Sequence, residues 1–60
     1  MNPHFLRART VKDTKCIFWQ TGNYQYQIEM RDTLTLKPFA HINLHKPYEE
    51  ASEEFDRLAV

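Results

Sequence analysis

The stretch Tyr24-Gln25-Tyr26-Gln27-Ile28-Glu29-Met30 alternates apolar and polar residues without a fault, the period-two pattern of a strand with one face buried. Ahead of it, Cys16-Ile17-Phe18-Trp19-Gln20 is a short run of β-formers. Thr21-Gly22-Asn23 between the two runs supplies a Gly-Asn pair suited to the positive φ of a tight hairpin turn, so the runs are expected to pair antiparallel. After Arg31-Asp32, read as a second turn, come Thr33-Leu34-Thr35-Leu36-Lys37 and Phe39-Ala40-His41-Ile42-Asn43-Leu44. Leu34, Leu36, Ala40, Ile42 and Leu44 share one parity, which predicts a long strand broken or bent at Pro38. Proline cannot donate to a ladder, so this strand belongs at an edge or carries a bulge there. Phe5 to Val11 is a fourth candidate strand, joined to Cys16 through Lys12-Asp13-Thr14.

The C-terminal segment changes period. Pro47 suits the first helical position, and Glu49 and Glu50 sit where the positive end of the helix dipole favours anions. Tyr48, Ala51, Phe55, Leu58 and Ala59 recur at helical spacing, and Glu53 and Arg57 form an i,i+4 pair in the better orientation. The pattern predicts a helix over about 47–60, roughly 20 Å long. The fold class is α+β: a small antiparallel meander of three to four strands over about 5–44, with one amphipathic helix packed on one face. All of 1–60 forms one small domain.

The apolar faces predict how the layers meet. The helix stripe is expected to cover Ile17, Trp19, Tyr26, Ile28, Leu34, Leu36, Ile42 and Leu44. The opposite face is expected to stay open and to display Arg7, Arg9, Cys16, Phe18, Gln25, Gln27, Thr35, Lys37, Phe39 and His41. On that expectation, Phe18→Ala and Phe39→Ala should weaken partner capture more than they weaken the fold.

Sixty residues bury only about 60% of the surface of the unfolded chain, so stability is marginal and small domains often lean on disulfides, metals or partners. Cys16 is the only cysteine and cannot close an internal disulfide, which suits a reducing compartment and predicts a cytoplasmic address. No apolar run is long enough for a signal peptide or a bilayer span, so no membrane association is expected. Formal net charge is zero, but its distribution is uneven. Arg7, Arg9, Lys12, Lys15, Arg31, Lys37 and Lys46 outnumber Asp13, Glu29 and Asp32 in the body, while Glu49, Glu50, Glu53, Glu54 and Asp56 face only Arg57 in the tail.

Several chemistries can be weighed on this frame. His41 and His45 stand four apart, with His4 and Cys16 to complete a zinc set. In a strand that spacing parts the rings by about 13 Å, and no second cysteine supplies a paired motif. A Cys16 thiolate with a histidine base lacks an orienting third group, a glycine-rich loop and an enclosing pocket. The glutamate cluster is more simply a solvated helix face. No enzymatic activity, cofactor or metal is therefore expected.

Single-stranded nucleic acid is the alternative ligand. Phe18, Phe39 and Tyr24 could stack bases, with Arg7, Arg9, Lys12, Lys15 and Lys37 as counter-charge. The neutral charge balance and the lack of an RNP or helix-turn-helix pattern weigh against it. A protein partner needs fewer assumptions, because aromatics and arginine are enriched at interface centres and an open edge invites strand addition or a homodimer. The expected function is a small protein-binding regulator or inhibitor of a host enzyme or complex, in the economical manner of phage or mobile-element accessory proteins. The expected contacts are Arg7, Arg9, Phe18, Phe39 and His41, with Glu50, Glu53 and Glu54 as a secondary acidic surface.

Overall fold

In the computed structural model, which describes residues 2–59, four antiparallel strands lie side by side in chain order. They are β1 (His4–Val11), β2 (Thr14–Gly22), β3 (Gln25–Asp32) and β4 (Pro38–Leu44). The helix α1 (Tyr48–Leu58) follows and packs on one face of the meander. The candidate strand at Phe5 to Val11 is present as β1. Val60, included in the expected helix, lies outside the described residues.

The expected strand at Thr33 to Lys37 does not form. Asp32 organises a turn there instead: its Oδ1 accepts from the Leu34 N–H at 2.7 Å and from the Thr35 N–H at 3.1 Å. Its carbonyl accepts from the Leu36 N–H at 2.8 Å, while its own N–H donates to the Lys37 carbonyl at 3.1 Å. A short acidic side chain that bonds the backbone just ahead of it competes with the ladder, and here the turn wins. Leu34 is consequently 89% exposed and Leu36 is exposed too, so neither is under the helix.

The larger difference lies in β2, and it follows from a single extra residue. Gly22 pairs with Gln25 across the hairpin. An unbroken ladder from that pair would set Trp19 opposite Ile28, which is the face assignment expected above. The register instead shifts between Gln20 and Gly22, so that Phe18 faces Ile28 and Cys16 faces Met30. Because side chains alternate with period two, one residue of slip turns the whole strand over. Cys16 and Phe18 therefore enter the core, and Ile17 and Trp19 move to the open face. The turn also carries its strain elsewhere than expected. Tyr24, not Gly22 or Asn23, takes the left-handed conformation at φ 55°.

The core is a stack of rings. Phe18 is fully buried and lies 5.2 Å from the Phe55 ring and 5.5 Å from the Tyr26 ring, both near-parallel, with Tyr48 at 6.1 Å. Ile28, Leu44, Ala51 and Ala59 close the cluster. Ala51 and Phe55 in α1 and Ala59 at its C-terminal cap recur every four residues, and the two alanines leave room for the Phe55 ring to reach the sheet. Pro47 stands one position outside the helix, extended at φ −60° and ψ 156°, and its carbonyl accepts the Ala51 N–H at 3.0 Å.

Phe18 is thus a core ring and not a docking ring. Removing a buried phenylalanine costs about 3–5 kcal/mol, comparable with the whole stability a core of this size supplies. Phe18→Ala is expected to abolish the cooperative thermal transition followed by far-ultraviolet circular dichroism. A variant that melts within a few degrees of the parent would contradict this placement.

Candidate interaction surfaces

The residues expected to share one docking face are divided by the structure among three places. Arg7, Arg9 and Phe18 lie on the helix side, because β1 follows the turned-over register of β2, with Arg7 opposite Phe18 and Arg9 opposite Cys16. His41 is exposed on the open face, opposite Glu29. Phe39 is 62% exposed but belongs to a groove on the helix side, near Leu58. The acidic residues spread over the helix: Glu50 is exposed, Glu53 stands 3.9 Å from Arg57, and Glu54 is paired with Lys46 at 2.5 Å.

The two arginines fasten the helix. The Arg7 guanidinium lies 5.0 Å from the Phe55 ring centre and 5.9 Å from that of Phe18, donates Nη2–H to Ser52 Oγ at 2.6 Å, and pairs through Nη1 with Asp56 at 3.2 Å. Its Nε is buried without a partner. A planar cation can stack on a ring and reach two side chains one helical turn apart at once, which a lysine cannot. Arg9 donates Nη1–H to the Ala59 carbonyl at 3.0 Å, satisfying an orphan acceptor at the negative end of the helix.

The open face can be read row by row from the strand register. One row runs Phe5, Trp19, Gln27, Asn43; the next Ala8, Ile17, Glu29, His41; the third Thr10, Lys15, Arg31. Phe5 and Trp19 meet edge to face at 5.8 Å, and Phe5 is 54% exposed. Gln27 donates to Asn43 at 3.2 Å. Ile17 is only 6% exposed although no helix covers it, because its cross-strand and same-face neighbours shield it, and it stands apart from the core under the helix. Lys15 and Arg31 face each other across the strands, and the Glu29 carboxylate accepts from Arg31 Nε at 2.9 Å. The face grades from an aromatic and amide end to a basic end. Phe5 and Trp19 were missed because Cys16 to Trp19 is apolar at every position, so only the bulge, which periodicity does not encode, says which half faces out.

On the helix side, Val11, Cys16, Met30, Phe39 and Leu58 line a groove of about 400 Å3. Leu58 also borders a second one of about 310 Å3 with Ile42, Glu54 and Arg57. A third depression of about 280 Å3 lies among His4, Gln20, Thr21 and Asn23. Among the described residues, no group of three or more His, Cys, Asp or Glu side chains is arranged to hold a metal, and no helix is long and apolar enough to cross a membrane. No protein-family model, curated protein or solved structure matches this chain.

Arg7→Ala is expected to destabilise the fold by about 1–3 kcal/mol, the range for a lost charged hydrogen bond with a cation–π contact. Arg7→Lys should recover less than half of that. Urea titration of the three chains checks both, and a neutral Arg7→Ala would remove the fastening role. Burial raises the Cys16 thiol above its ordinary value of 9.0. Above that value the unfolded chain releases a proton the folded chain retains, so stability is complete below it and falls as pH rises. The urea midpoint is expected to drop between about pH 8 and pH 10 more in the parent than in Cys16→Ala. At pH 8, alkylation of native Cys16 should run at least about a hundredfold slower than in urea, the ratio that an opening free energy near 3 kcal/mol gives.

Proposed function

We propose that this protein is a non-enzymatic binding module that regulates or inhibits another protein by laying the open face of its sheet against it. The observation that carries the reading is the Phe5–Trp19 pair, left without a covering layer in a domain that places Phe18, Tyr26 and Phe55 in its core. Tryptophan and arginine dominate the centres of protein interfaces, and here Trp19 and Arg31 share one face with exposed His41. The aromatic end and the basic end together fit a protein surface that presents an apolar anchor beside acidic groups.

Other features agree with binding rather than turnover. The depressions are open surface grooves, and the Cys16 thiol is shielded and held protonated. Glu50 and Glu53 remain on the outer side of the helix, exposed to solvent as a secondary acidic surface. Single-stranded nucleic acid could use the same rings, but Glu29 stands within the face and already engages Arg31, which lowers the counter-charge a phosphate backbone needs.

A photoreactive phenylalanine analogue at position 5, in cells that express the protein, is expected to yield a discrete protein adduct. Trp19→Ala should reduce that adduct at least about fivefold, while the melting temperature moves by only a few degrees, as for loss of one aromatic pair. No adduct beyond that from the same analogue at exposed Thr35 would overturn the reading. Quenching of Trp19 emission by oligothymidylate, with an affinity that falls steeply with salt, would transfer the face to nucleic acid.

A further inference from the structure

The two edges of the sheet carry different side chains. Each is broken by a register shift near its start, between Phe5 and Arg7 in β1 and at Phe39 in β4, which blunts pairing there. β1 also carries Arg7 and Arg9, and charge on an edge blunts it further. Among the described residues the β4 edge has one neighbour only, contains no lysine, arginine, aspartate or glutamate, and keeps an unbroken register with β3 from Ala40 to Leu44. Pro38 and the bulge protect only its first two positions. Such an edge presents a row of free N–H and C=O groups in extended backbone, the template for strand addition.

Beside this edge, on the helix side, lies the groove bordered by Ile42, Glu54, Arg57 and Leu58. Leu58 is 45% exposed. Among the described residues Arg57 has a loose internal partner: Glu53 is 3.9 Å away and both side chains are largely in solvent, where such a pair is worth little. The rim therefore carries an apolar centre and both signs of charge within one patch.

We propose that two copies of this chain join by antiparallel pairing of β4 with β4, centred on Ile42, so that the two grooves close over each other. A second copy is the occupant because the patch holds its own complement. Antiparallel pairing of a strand with itself is two-fold by construction. The same rotation reverses the helix, bringing Arg57 of each copy toward the acidic residues of the other, and sets Ile42 and Leu58 of both copies together. The result is a continuous eight-stranded sheet with both helices on one side and both Phe5–Trp19 pairs on the other. This assembly stands independently of the proposed use of the open face.

Sedimentation equilibrium of the full chain from about 10 µM to about 1 mM is expected to show a mass rising toward twice 7.2 kDa. Leu58→Glu, at an exposed position, should raise the dissociation constant at least about tenfold with an unchanged circular dichroism spectrum. Arg57→Glu should also weaken the dimer, and Glu54→Arg added to it should restore it. A 7.2 kDa species throughout the range, or a Leu58→Glu chain that associates as strongly as the parent, would overturn the proposal. So would a dimer that Trp19→Ala dissociates and Leu58→Glu leaves intact, since that would place the contact on the open face.

Discussion

The helix is held to the sheet around the ring of Phe18. Tyr26 stacks on it from the neighbouring strand, Phe55 and Tyr48 meet it from the helix, and the Arg7 guanidinium reaches over it from the first strand. Its contacts join β1, β3 and α1 to β2. In a domain with this little interior, aromatic stacking supplies much of what a larger aliphatic core would supply elsewhere. The positions of β1 and of the helix stripe follow from where that ring points.

That direction depends on the bulge between Gln20 and Gly22. The period-two pattern of β3, the helical pattern after Pro47, the meander order and the single roofed face were all legible along the chain, because each rests on local spacing that tertiary contacts reinforce. The facing of β2 was not. A strand that is apolar on both sides, Cys16 to Trp19, is consistent with either orientation, and the choice was made by a turn whose left-handed residue is a tyrosine. Asp32 gave a similar lesson on a smaller scale, since one carboxylate oxygen accepting two backbone N–H groups was enough to turn Leu34 and Leu36 out of an expected strand.

The same inversion reassigns the charged residues. Arg7 and Arg9 read along the sequence as a basic binding surface, yet they serve the helix, one lying across its rings and the other meeting its last carbonyl. What the helix leaves uncovered is the tryptophan and phenylalanine face, with Lys15, Arg31 and His41 on the adjoining rows, and the uncharged β4 edge beside a groove. The open face is aromatic at one end and basic at the other, and the groove beside β4 sets Ile42 and Leu58 between Glu54 and Arg57.

The arginine clasp also orders events in time. Arg7 reaches Ser52 and Asp56, and Arg9 reaches Ala59, so the first strand is secured by residues that emerge almost fifty positions later. Both the β1–β2 and the β2–β3 hairpins close over two-residue turns and can form early, whereas the clasp has to wait for the helix. The sheet can therefore exist before its roof, and until the helix docks the ring of Phe18 has no cover on its inner side.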